Sequence, residues 1–311
     1  MSKELLTTIC NSDNADNYVW SMCFYKIDRR AKGQPYKFYK IRFKNDEYLL
    51  MYAKSLMGCV NNYQNSPIET VQEYDGENTK VSCDRIRLDN ELISTQWTSF
   101  VKAFGKATDE KITGKVNGYA LFGEPKYDGG QTITFIKTAN PITNLTNKKS
   151  VVFTTTANDE LEMFSDTVCR LFLNTDIVVI GQTMYTYNHN FEVLFDLEKT
   201  MAKVKVAAIE QMISTNSIAD PEAFKNYASQ YTSNRTFITL KQERIDRVID
   251  KRKRKAVATM LKIELDASGD FIIDSKEKAS VLIKYLCYKI FKDGETNDIL
   301  EASAISTLTI S

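Results

Sequence analysis

Apolar and polar positions change rhythm partway along this chain. From Tyr18 to about Phe153 they come in short runs rich in Tyr, Phe, Thr, Val and Ile, punctuated by Asn61-Asn62, Asn65-Ser66-Pro67, Asp75-Gly76 and Asp128-Gly129-Gly130. That combination marks strands joined by turns. The clearest strand is Gln131 to Lys137, with Ile133 and Phe135 on one face. One helix is predicted near Leu92 to Ala103. After the polar stretch Asn144 to Ser150 the helical period takes over. Leu161, Phe164, Val168 and Phe172 fall on one side of a helix over Asp159 to Phe172, whose acids Asp159, Glu160 and Glu162 suit its start. Asp176 to Ile180, Gly181-Gln182 and Thr183 to Tyr187 read as a hairpin. A long helix follows from Phe191 to about Ile213, with Phe191, Leu194, Phe195, Val204, Ala208, Ile209 and Met212 as its core positions. Further helices are predicted at about 221–230, 240–260 and 276–291, the last capped by Ser275, with Phe271-Ile272-Ile273 as a short strand. The expected fold is α+β: a mostly β N-terminal domain over 1–150 and a mixed, helix-rich domain over 151–311.

Length supports two domains, since 311 residues with 43% apolar content can bury a substantial core. Uncharged apolar runs such as Ile177 to Ile180 and Val281 to Ile283 are far shorter than the ~20 residues of a membrane-spanning helix. Met1 to Cys10 carries an early acid and no apolar core of a signal peptide, so export by that route is not expected. The cysteines Cys10, Cys23, Cys59, Cys83, Cys169 and Cys287 form no Cys-x-x-Cys pair and no Cys/His cluster. Reduced thiols and a cytoplasmic location follow as expectations. The net charge is only +1, so affinity for an anionic partner must come from local patches.

Two such patches stand out. The first is Arg244, Arg247, Lys251, Arg252, Lys253, Arg254 and Lys255. On one continuous helix Arg244, Arg247, Lys251, Arg254 and Lys255 share an arc of roughly 100°. Ile245, Ile249, Ala256 and Met260 then gather on another side, and Glu243, Asp246 and Asp250 form an acidic strip. Such a stripe would neutralise DNA backbone phosphates. A solvated helix with intrahelical pairs, Asp250 with Arg254 among them, accounts for the same residues. The second patch is Lys26, Arg29, Arg30, Lys32, Lys37, Lys40, Arg42 and Lys44, interleaved with Phe24, Tyr25, Tyr36, Phe38, Tyr39 and Phe43. As a strand, Lys37 to Lys44 would place Lys40, Arg42 and Lys44 on one face and Tyr39, Ile41 and Phe43 on the other. Aromatics in that setting either stack on bases or pack into a core.

Enzymatic patterns are sparse. His189, the single histidine, sits in the turn Asn188-His189-Asn190, which argues against His-based triads and multi-His metal sites. Gly105-Lys106 lacks the upstream glycine of a phosphate loop. Glu264 and Asp266, then Phe271-Ile272-Ile273, then Asp274-Ser275-Lys276 mimic the acid, strand, acid-x-Lys layout of metal-dependent nucleases. Ser275 capping a helix explains the same residues. No cofactor, metal site, catalytic residue or small-molecule substrate is expected.

The second half, roughly Lys148 to Ser311, resembles the KwaB family of the bacterial Kiwa anti-phage system. The resemblance is carried by the Leu161 to Phe172 helix, Asp176 to Ile180, Tyr185 with Asn190 to Phe195, the basic helix, Leu261 to Leu265, Gly269 to Ile273, and Ser275-Lys276-Glu277 with its helix. It rests on the order and spacing of elements. The resemblance implies a DNA-binding effector that assembles with a small membrane protein, KwaA, at the inner membrane and acts on phage DNA. It supplies no DNA-contacting residues, so the cations above rest on the helical-wheel argument alone. The uncharged tail Ser303 to Ser311 stands in place of the usual family tail and alternates like a strand. Such a strand suits pairing with another chain, hence a homo-oligomer or partner contact. Against the DNA-binding reading stand a metal-dependent nuclease using Asp274 and Lys276, and a scaffold with basic protein- or membrane-facing surfaces.

Overall fold

A computed structural model describes residues 3–31, 33–60, 62–63, 66–76, 82–112, 114–144, 152–155, 161–164, 167–292 and 299–301. The tail Ser303 to Ser311 lies outside them, as do Lys32, Asn61, Asn65, Asp159, Glu160 and most of the polar stretch before residue 150. The chain divides into two compact units, Met1–Val71 with Asn78–Phe195, and Gln72–Glu77 with Asp196–Ser311. The division therefore falls at Phe195, not near residue 150. The hairpin expected within the second domain is built into the sheet of the first.

That sheet has eight strands. In chain order they are β1 (Tyr18–Ile27), β2 (Tyr36–Lys40), β3 (Thr70–Glu73), β4 (Ser82–Arg87), β5 (Gly118–Pro125), β6 (Ile133–Lys137), β7 (Ile177–Ile180) and β8 (Thr183–Thr186). Across the sheet the order is β2-β1-β5-β6-β7-β8-β4-β3. β7 and β8 form the expected hairpin, with Ile180 opposite Thr183. Gly181 enters its turn at φ +54, the left-handed region that a tight hairpin turn needs. The first unit also holds α1 (Lys3–Ile9), α2 (Asp46–Cys59), α3 (Ser94–Phe104) and the short α4 (Asn190–Leu194). On one face of the sheet Tyr52, Ala53, Leu56 and Met57 of α2 share a core with Met22, Phe24, Tyr119 and Leu121. On the other, Phe100 of α3 packs its ring against Tyr25, Tyr36 and Phe38 at 5.6, 5.2 and 4.9 Å. Cover on both faces explains why β7 is buried at every position and β5 at its first six, where a one-sided sheet would alternate.

The second unit is helical: α5 (Leu197–Ser214), α6 (Pro221–Tyr231), α7 (Gln242–Ile249), α8 (Lys251–Leu261) and α9 (Lys276–Leu286). Phe224, Phe237, Phe271, Leu282 and Ile283 are at the centre of its core. Ser275 caps α9 as expected, accepting from the Lys278 backbone N–H. The early segment Gln72–Glu77 joins this unit for two visible reasons. Lys289 and Asp75 form a buried ion pair at 3.2 Å. Gly76, at φ +86, lies so close to Arg235 that a Cβ there would stand 2.9 Å from the Arg235 Cβ.

Four sequence expectations change. In place of a helix over Asp159 to Phe172, Leu161–Phe164 pairs with Val152–Thr155, and Thr167–Cys169 pairs with Ile142–Asn144. The helical spacing of four apolar residues was outweighed by β-branched neighbours able to form antiparallel ladders. The helix expected from Phe191 to Ile213 is interrupted at Asp196, which takes a left-handed φ of 53° between α4 and α5. Aspartate tolerates that conformation better than most residues. Phe195, just before the break, packs on Trp97 and Phe100. Phe271 makes only isolated bridges, to Ile218 and Leu265, and no strand forms over Phe271 to Ile273. The fourth change is the helix expected at 240–260.

Candidate nucleic-acid interface

That helix breaks at Asp250, which has an extended ψ of 111° and caps α8 by accepting from the Arg252 and Lys253 backbone N–H groups. The same bonds, with the charges of Arg252 and Lys253, hold its carboxyl below the usual range. The break resets the helical phase, so the two halves bury different faces from those a single wheel indicates. α7 buries Ile245 and Val248, and α8 buries Arg254, Val257, Ala258 and Leu261 at the i, i+3, i+4, i+7 spacing of an inward face. Ile249 and Ala256, expected in the core, are exposed.

Arg254 was expected at the surface and is instead 2% exposed. Its Nε donates to the Val248 carbonyl at 2.5 Å and its Nη2 to the Ile249 carbonyl at 3.1 Å. Its Nη1 reaches the Gly269 carbonyl at 3.1 Å and the Asp270 carboxylate. One guanidinium thus satisfies the last carbonyls of α7 and anchors the turn at 266–270, where Asp266 accepts from the Ser268 and Asp270 N–H groups. Arg254 is therefore structural, and the five-cation stripe loses a member.

With Arg254 inward, the outward arc of α8 centres on Arg252, with Lys251 and Lys255 on one shoulder and Lys253 on the other. All four are exposed, as are Arg247 on α7 and Lys262, which closes α8 at φ 55. Lys262 was missed by sequence reading; it lies seven residues past Lys255, and that spacing was its only signal. The first turn of α8 contains no acid. Lys253 lies 3.8 Å from Asp250, and Lys251 donates to the Ser268 carbonyl at 3.2 Å. Arg244 is half-buried, stacked on the rings of Tyr285 and Tyr288.

The N-terminal basic segment is organised differently. β2 ends at Lys40, so Lys40, Arg42 and Lys44 do not share a strand face. The reason is the next helix: Asn45 caps α2 and turns the chain away. Lys40 and Arg42 both approach Asp109, at 3.7 and 2.9 Å, and Lys37 pairs with Glu110 at 2.7 Å. Lys40, Arg42 and Asp109 stand at a cleft of about 570 Å³ together with Trp20, Phe43 and Phe104. Lys44 is exposed. Tyr25, Tyr36, Phe38 and Tyr39 are buried, so these aromatics build the core and offer no stacking platform.

The acid, strand, acid-x-Lys residues each have local partners. Asp266 serves its own turn, Asp274 pairs with Lys278 at 2.9 Å, and Lys276 lies 3.8 Å from Glu277. Among the described residues no group of three or more His, Cys, Asp or Glu could hold a metal ion. His189 Nδ1 lies 2.5 Å from Glu192.

Fold and site define an α+β protein whose helical unit presents a cation-rich helix start to solvent. Residues 127–292, more than half the chain, match the family described as Kiwa protein KwaB-like, and the chain belongs to that family. It is a component of Kiwa anti-phage defence. No curated protein and no solved structure is similar enough to count as a match. Among the described residues no helix is long and apolar enough to cross a membrane.

Proposed function

We propose that the chain binds double-stranded DNA without sequence preference, through backbone phosphates, and acts against phage beside a membrane partner of the KwaA type. The observation that carries this reading is the start of α8. Lys251, Arg252 and Lys253 follow one another at a helix N-terminus that holds no acid in its first turn, with Lys255 one turn on. Like charges at the positive end of a helix dipole cost stability, and the single Asp250 cap stands against three of them, so a further anion is favoured there. Arg247 and Lys262 extend the exposed set, while Lys40 and Arg42 take a lesser part because they share Asp109. In this reading the chain holds DNA and does not cut it, and the membrane connection is what the family resemblance suggests.

A gel-shift titration tests it. The triple variant Lys251→Glu, Arg252→Glu, Lys255→Glu should lose retention of duplex DNA by at least about a hundredfold at moderate salt, each reversal changing phosphate contact by two charges. Unchanged retention would sink the assignment. Running the series with and without Mg²⁺ separates holding from cutting: degradation that needs the metal and disappears in Asp274→Ala would favour the nuclease.

A further inference from the structure

Arg244 has features that a surface phosphate contact does not need. Its guanidinium carbon lies 4.4 Å from the Tyr285 ring centroid and 4.1 Å from that of Tyr288. Tyr285 is fully buried in α9, and Tyr288 follows the helix end in the left-handed conformation, φ 58, so both rings reach the same guanidinium. Yet among the described residues this cation has no carboxylate and no carbonyl. Its Nε is buried with no hydrogen-bond partner. Among the described residues its two terminal nitrogens make no hydrogen bond, and the residue as a whole is only half-buried. Buried donors are nearly always satisfied, and an orphan calls for a missing partner. Arg254 shows the contrast, since every nitrogen of its fork is used inside the fold.

We infer that Arg244 is a preformed phosphoryl-binding fork, held in plane by Tyr285 and Tyr288. Stacking on two rings removes much of the side chain's freedom before a ligand arrives, and a guanidinium meets two phosphoryl oxygens with two parallel N–H groups. A lysine at this position would keep the charge and lose the geometry. The inference rests on the DNA-binding reading for the ligand's identity, a backbone phosphate of the duplex, and not for the existence of the site. Arg247, exposed on the next turn of α7, supplies a second cation one turn away.

The test follows the arginine Nε–H resonances of the full chain by NMR, taking as Arg244 the signal that Arg244→Lys removes. The expected result is a shift of that signal with duplex DNA and with millimolar inorganic phosphate. Arg244→Lys should also bind DNA about tenfold more weakly with an unchanged salt dependence, because the charge is retained. A shift with phosphate but not with DNA keeps the fork and assigns it to a free phosphoryl ligand. No shift with either ligand while gels still retain DNA overturns the fork and leaves the DNA reading standing, as does equal DNA affinity of the lysine variant. If the chain retains no DNA at all, the DNA reading falls and the phosphate arm alone decides the fork.

Discussion

Arg254 and Asp176 show how much single charged residues do inside this chain. Arg254 closes four acceptors drawn from α7 and the 266–270 turn. Removing it strands the Asp270 charge and the α7 carbonyls, so Arg254→Ala should lower unfolding free energy by about 3 kcal/mol. Arg254→Lys should cost nearly as much, because one ammonium cannot span four acceptors. Urea denaturation at pH 7 measures both, and a loss under about 1 kcal/mol would contradict the structural role. Asp176 is buried, which opposes its charge. Lys137 at 2.9 Å and the Thr138 N–H and hydroxyl at 2.8 and 2.5 Å favour the charge and prevail, holding the carboxyl below its usual range. A depressed folded-state pKa stabilises above the unfolded value of about 4 and is lost as pH falls below it. Asp176→Asn should therefore destabilise at pH 7 and narrow its gap to the parent chain at pH 3, as denaturation at the two pH values would show.

Among the elements, the α7–α8 junction matters most for the proposed DNA contact. Three cations in the first turn of α8 oppose the helix dipole, and the Asp250 cap offsets them while ending α7. Asp250→Ala should lower the melting temperature, and Asp250→Ser, which keeps a capping oxygen, should restore most of it. Equal melting of the alanine variant and the parent would remove the cap from this account. A break here also decides which cations face outward: a single helix would expose Arg254, whereas the phase after Asp250 exposes Arg252. Elsewhere, elements with strong local signals formed as expected. The β7–β8 hairpin has its glycine turn, and α9 has its serine cap. The segment around Leu161 had no such signal, and ladder pairing outweighed its helical spacing.

On the scale of the whole molecule, a net charge of +1 leaves no long-range field to draw DNA in. On the proposed DNA-binding reading, affinity then depends on the few phosphates that the patch itself would contact. For about four or five of them, the logarithm of the binding constant should fall with a slope of about −4 against the logarithm of salt concentration. A flat salt series would exclude phosphate contacts as the source of binding. The sequence by itself determined the α+β class, the hairpin, α3, α6 and α9, the family, and the presence of two basic segments, because each depends on local pattern or composition. Tertiary structure decided the rest. It placed the unit boundary at Phe195, since β7 and β8 find their ladder partners in β6 and β4, far away in sequence. It assigned the cations different tasks: Arg254 to the core, Arg244 to two tyrosines, Lys40 and Arg42 to Asp109, and the start of α8 to solvent. Charge is a property of the residue, but its availability depends on which distant carbonyls, rings and carboxylates the fold brings beside it.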